Sequence, residues 1–151
     1  MASYNHQTPS QSPHRFTGTP KSIIDDAKRI IASRKAQEQI VKNVRQEEAT
    51  FANVLLPLMR AENTFKLNSH ILQFYQHVSL DKDIRDASAE AEKLVNKYEI
   101  ETSMREDLYH LVDAVVGKDE KLDTESTLLL EKKHRDYIRN GLKLPMGSTR
   151  D

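Results

Sequence analysis

Apolar residues in this chain return every third or fourth position from Ile23 to Ile138, and no segment sustains alternation at every second residue. The first pattern is that of helices with one buried face; the second, which a half-buried strand needs, is missing. Four glycines, five prolines and no tryptophan in 151 residues argue further against a turn-rich sheet or barrel. The expected fold is all-α, an antiparallel bundle of about five helices behind a disordered polar tail.

Residues 1–21 form that tail, rich in Ser, Thr, Gln and Asn, with Pro9, Pro13 and Pro20 scattered through it. Its aromatics, Tyr4 and Phe16, stand isolated. From Ser22, read as an N-cap, the first helix carries Ile23, Ala27, Ile30, Ile31, Ile40, Val41 and Val44 inward. Asp25 and Asp26 are placed in its first turn, where the helix dipole favours anions. The stretch from Arg34 to Gln39 is polar, so this helix is expected to show two apolar patches rather than one stripe.

A break at Glu47–Thr50 precedes a second helix capped by Thr50, with Val54, Leu55, Leu58, Ala61, Phe65 and Leu72 buried. Pro57 lacks a backbone donor and crowds the preceding turn, which predicts a kink or a late helix start. Ser79 is taken to open the third helix, with Ile84, Ala87, Ala91, Leu94 and Tyr98 inward and small alanines that let a neighbour approach. Thr102 or Ser103 caps the fourth, which buries Met104, Leu108, Leu111, Val112 and Val115 and stops at Gly117. After a charged loop, Lys118–Asp123, the fifth helix turns Leu128, Leu129, Tyr137 and Ile138 inward and ends at Gly141 and Pro145.

Several function classes are excluded or disfavoured by composition. With no cysteine there is no disulfide, thiolate zinc site or Cys nucleophile. Lys+Arg and Asp+Glu balance at 23 each, which leaves no overall electrostatic footprint for nucleic acid or an anionic membrane. No apolar run approaches the ~20 residues of a membrane span. The first 24 residues hold no acid and only Arg15 and Lys21 as bases, fewer than a mitochondrial presequence carries, and nothing there resembles a secretory signal. A cytoplasmic location is expected, ahead of a mitochondrial one.

Catalytic and metal constellations are not found in the sequence. The six histidines lie at 6, 14, 70, 77, 110 and 134. His70 and His77 are two helical turns apart, ~10 Å of rise, too far to share one zinc ion. The acidic pairs Asp25–Asp26, Glu47–Glu48, Asp81–Asp83, Glu90–Glu92 and Glu106–Asp107 sit at helix starts or among lysines, where dipole complementation and solvation explain them. The glycines at 18, 117, 141 and 147 never cluster into a phosphate loop. No catalytic, cofactor-binding or metal residue is assigned to this chain.

A set of short runs carries more. Gln-His-Val-Ser at 76–79, Lys-Asp-Ile-Arg at 82–85, Ala-Ser-Ala-Glu-Ala-Glu at 87–92 and Ser-Met-Arg-Glu-Asp-Leu-Tyr at 103–109 follow in order. Thr50-Phe51-Ala52-Asn53 and Leu56-Pro57-Leu58 precede them, and Glu131-Lys132 and the run Arg139-Asn140-Gly141-Leu142-Lys143-Leu144-Pro145 come after. Taken together they resemble the N-terminal region of the thimet oligopeptidase family of zinc metallopeptidases, which includes neurolysin and saccharolysin.

The resemblance implies a helical segment forming part of one wall of a deep channel that admits short peptides. It implies zinc in the full-length family member, held downstream by His-Glu-x-x-His, a motif that residues 1–151 do not contain. Residues 22–145 then correspond to the helical domain. Residues 146–151 read as the truncated start of a next helix, and the chain as an inactive fragment of a metalloendopeptidase. Apolar patches on the first helix and the Leu128–Leu130 run would be left exposed and favour self-association. A reading from another class is a free-standing helical module that binds a partner peptide or helix in a groove.

Overall fold

The structure, a computed structural model, describes residues 14–142. The expectations for residues 1–13 and 143–151, including Pro145 as a terminator and the start of a further helix, lie outside them. Among the described residues there are five α-helices and no strand: α1 (Pro20–Lys42), α2 (Leu56–Val78), α3 (Lys82–Ser103), α4 (Glu106–Gly117) and α5 (Thr124–Arg139). The chain is an all-α bundle.

α1, α2 and α3 pack against one another, while α4 and α5 pair and close on the end of α1 and the start of α2. α1 and α2 run antiparallel, since Gly18 lies at Tyr75 and Arg34 at Phe65. Small residues on α3 allow this closeness. Ala91 and Ser88 are wholly buried, and the Ser88 hydroxyl donates to the Leu72 carbonyl of α2 at 2.6 Å. A buried hydroxyl with an acceptor avoids most of its desolvation cost.

The helix ends rest on caps that the sequence reading placed differently. The N-cap of α1 lies three residues before Ser22: it is Thr19, and Ser22 is its reciprocal partner in the capping box. Asp25 and Asp26 therefore fall beyond the first turn and instead pair with Lys21 and Arg29. α3 is capped by Asp81, whose side chain accepts from the Asp83 N–H, whereas Ser79 ends α2. Neither Thr102 nor Ser103 caps α4; Arg105 holds that place, Thr102 is buried, and Met104 ends α3 with its side chain exposed.

Thr50 does act as a cap, reciprocally with Asn53, but of a π-helical turn, Phe51–Leu55, that feeds directly into α2. The α-helix then starts late, at Leu56, with Pro57 in its first turn, where a missing N–H costs little. α4 ends at Gly117, yet the left-handed residue in the following loop is Asp119, with φ of 50°. Gly141, at φ of 90°, supplies the left-handed turn after α5.

Two hydrophobic clusters result. One joins the first half of α1 to α2 and α3 through Ile23, Ala27, Ile30, Phe65, Leu72, Tyr75, Ala91 and Tyr98. The other joins the end of α1 and the π turn to α4 and α5 through Val41, Val54, Leu55, Leu108, Val112, Val115, Leu130 and Tyr137. The first-helix patches and Leu130, expected to be exposed, are thus largely covered from within. Ile40 and Leu128 are exposed, so Leu128 faces out rather than in.

The segment 14–21 also departs from the expected tail. Phe16 packs edge-on against Tyr75, the Gly18 N–H donates to the Tyr75 hydroxyl at 2.9 Å, and Pro20 and Lys21 belong to α1. A Cβ on Gly18 would lie 2.8 Å from that hydroxyl, so only glycine fits without displacement.

Candidate functional site

The inward positions of α1 are Ile23, Ala27, Ile30, Arg34, Glu38 and Val41, spaced by three or four throughout. The stripe is therefore continuous, and its middle is an ion pair. Glu38 is 2% exposed and Arg34 8%. The chain buries the Glu38 carboxylate by saturating it with donors. Glu38 Oε1 accepts from Arg34 Nε at 3.1 Å and from the Thr102 hydroxyl at 2.7 Å. Its Oε2 accepts from the Tyr98 hydroxyl at 2.7 Å and from Arg105 Nη1 at 3.2 Å.

Each donor comes from a fixed element. Tyr98 and Thr102 lie one turn apart on α3, so both hydroxyls meet one carboxylate. Arg105, at the entry to α4, also grips Asp107 at 2.6 Å, and Lys42 at the end of α1 reaches Asp107 at 3.8 Å. The Arg105 hydrogen bond holds the Asp107 carboxyl below its usual range, and the bond to Asp107 holds the Arg105 guanidinium charged. Burial, then the Glu38 hydrogen bond and charge, push the Tyr98 phenol well up, so it remains a donor. The Arg34 guanidinium lies 4.8 Å from the Phe65 ring centre and 5.6 Å from that of Tyr98, a cation–π setting.

Two clefts of about 400 Å³ open beside this network, and Arg34 lines both. The first lies among α2, α3 and α5 and holds a second charge cluster. Glu62 on α2 is bonded at 2.7 Å by both Lys133 of α5 and Lys66 of its own helix. Burial alone would push the Glu62 carboxyl up; the Lys133 charge and the two lysine hydrogen bonds outweigh it and bring it down to about 2. Burial, then the charges of Glu38 and Glu62, drive the Tyr137 phenol up. A carboxylate held that low is a poor proton acceptor at neutral pH, and Glu38 already serves four donors. The arrangement positions and orders; it does not supply a separated acid and base.

The second cleft, between α1 and α2, is lined by Arg29, Arg34 and Arg60, by polar Ser33, Gln37, Thr64 and Asn68, and by the apolar faces of Ile30, Pro57, Ala61 and Phe65. No carboxylate lines it.

The acidic pairs sit where helix physics put them. Asp81 caps α3, Glu106 and Asp107 occupy the first turn of α4, and Glu48 pairs with Arg45. His134 of α5 meets Asp113 of α4 at 2.8 Å and stacks on Tyr109. Among the described residues, no group of three or more His, Cys, Asp or Glu could hold a metal ion, so they do not fit a zinc centre. No helix among them is long and apolar enough to cross a membrane. The sequence reading missed Arg34 and Glu38 by treating them as a polar interruption. Their signal was present: an Arg–Glu pair at i,i+4, in phase with the apolar stripe on either side.

No family model matches the chain. Its curated relatives are nonetheless consistent in kind. It is 37% identical over 138 residues to "Oligopeptidase PhomG'" of Diaporthe leptostromiformis, covering 87% of this chain and 11% of that protein. It is 30% identical over 142 residues to saccharolysin of Saccharomyces cerevisiae, covering 91% of this chain and 20% of that one. A thimet-like oligopeptidase of Dictyostelium discoideum is 33% identical over 116 residues, 74% of this chain and 17% of its own length.

With identities of 30% or more across most of its length, the chain belongs to the oligopeptidase family. More closely, the chain is homologous to the N-terminal region of the family that contains saccharolysin and the thimet-type enzymes. It spans between 11% and 20% of the length of the first relatives it matches.

Proposed function

We propose that this chain is the peptide-guiding, non-catalytic helical part of a zinc metalloendopeptidase that degrades short intracellular peptides. The observation that carries the reading is the similarity to oligopeptidases across most of the chain, at up to 37% identity. The structure supports a guiding role through its two clefts, one walled by the Glu38 and Glu62 ion-pair clusters and the other lined by three arginines. In this reading the bundle forms one wall of the substrate channel, and the zinc ligands and general base belong to another part of the enzyme. The expected compartment is the cytoplasm.

The purified 151-residue chain, incubated with short quenched-fluorescent peptides, is expected to bind them weakly and not to cleave them. Chemical shifts should move at residues lining the two clefts. Chelator-sensitive turnover, or one tightly held zinc per chain by metal analysis, would overturn the assignment of chemistry elsewhere. Peptides that leave every cleft residue unshifted would overturn the guiding role.

A further inference from the structure

The α1–α2 cleft differs from its neighbour in one chemical respect. The cleft among α2, α3 and α5 sets four basic side chains against Glu38, Glu62, Glu99 and Asp136, so an incoming anion meets carboxylates there. The α1–α2 cleft sets three arginines against none. Resting on the peptide-guiding role, we propose that this cleft is a subsite for the free C-terminal carboxylate of a short peptide, with Arg34 at its floor and Arg29 and Arg60 at its rim.

Arg34 makes the floor specific. It is more than nine-tenths buried, and its only hydrogen bond to the described residues is from Nε to Glu38. No fully enclosed side-chain nitrogen or oxygen among the described residues lacks a partner. The two terminal nitrogens of Arg34, having none, therefore reach solvent space through the clefts the residue lines. The guanidinium is held in place, because Glu38 bonds Nε and the central carbon of the group sits over the Phe65 ring, 4.8 Å from the ring centre. A fixed fork with two free nitrogens matches the two oxygens of a carboxylate.

At the rim, Arg60 has no ion-pair partner among the described residues. Arg29 donates to Asp26 at 2.9 and 3.2 Å, a pair largely open to solvent. The apolar side of the cleft selects the class of anion. Ile30, Pro57, Ala61 and Phe65 offer a surface that inorganic phosphate cannot use but the last side chain of a peptide can.

The test compares two dye-labelled pentapeptides ending in Phe, one a free acid and one an amide, by fluorescence anisotropy with the 151-residue chain. The acid is expected to bind about tenfold more tightly, the size of one charge-assisted pair. Arg60→Gln and Arg29→Gln, both at exposed positions and checked for folding by circular dichroism, should together shrink the preference to roughly twofold. Lys132→Gln, which removes a surface charge from α5, should leave it intact.

Equal binding of acid and amide overturns the subsite while the guiding role stands. Failure of both peptides to bind overturns the two together. A preference untouched by the arginine substitutions also overturns the subsite, as does inorganic phosphate that binds as tightly as the acid.

Discussion

Replacing Glu38 with Gln tests the reading of the buried network most directly. The carboxylate accepts four hydrogen bonds, two of them from guanidinium groups. A carboxamide keeps one oxygen and turns the other acceptor into a donor. The Tyr98 hydroxyl can rotate and accept from that NH2, but an arginine cannot. Arg105 keeps Asp107 as a second partner, and Arg34 has no such reserve, so the amide oxygen should turn toward Arg34 and Thr102. Breaking a buried pair by removing one charge costs about 3–5 kcal/mol. The remaining partner of Arg105 and its partial exposure put the expected loss near the lower end, about 3 kcal/mol. In a domain of this size that lowers Tm by about 6–12 °C. Urea unfolding followed by circular dichroism should show a lower midpoint with an unchanged slope. Tyr98→Phe, which removes one bond to a charged acceptor, should cost about half as much. A Glu38→Gln loss below about 1 kcal/mol would refute the reasoning, because the carboxylate would then be hydrated from the cleft rather than held by its donors.

Other outcomes follow from named contacts. The Glu62 carboxyl is lowered from 4.5 to about 2 in the fold, so its contribution is present above pH 4.5 and disappears as pH falls toward 2. Urea midpoints should decline through that window, and Glu62→Gln should remove most of the decline; an unchanged slope in the variant would mean that other carboxylates govern it. Gly18→Ala forces a Cβ to within 2.8 Å of the Tyr75 hydroxyl, and should cost about 1–3 kcal/mol and free the Phe16 segment to proteolysis. Ala91→Leu puts a large side chain where α3 meets its neighbours and should destabilise by about 1–3 kcal/mol or more, whereas Leu80→Ser, at a residue 99% exposed, should stay within about 0.5 kcal/mol in the same melts.

The helical period was readable because a residue's face depends only on its position along its own helix. Leu58, Phe65, Leu72, Ala91, Tyr98, Leu108 and Val112 were placed inward from spacing alone and are buried. Caps were less readable, since Ser, Thr and Asp within two or three residues compete for one position, and backbone geometry decides. Thr19 outranked Ser22 because Pro20 pre-sets the first turn, and Asp81 outranked Ser79 because its carboxylate reaches the Asp83 N–H. The site was the least legible. Whether Arg34 and Glu38 are interior depends on Tyr98, Thr102 and Arg105 arriving from residues more than 59 positions away. Local hydropathy carries no such information. Leu128 failed for the opposite reason, as an apolar residue two positions, about 200° of helical turn, from Leu130 and so on the face opposite Leu130 and Tyr137.

Placing a polar seam between two separate hydrophobic clusters gives the molecule two units of cooperativity. Amides of α4, α5 and the π turn rest on one oily interior, and those of α2, α3 and the first half of α1 on the other. α1 is the shaft common to both, and its central turn is clamped by hydrogen bonds rather than by dispersion. Native-state hydrogen exchange should therefore show one shared opening free energy while the clamp is intact and two separate ones once Glu38→Gln loosens it. The ion pair in α1 is in this sense a coupling joint, and what it fixes is whether the two halves of the bundle breathe together.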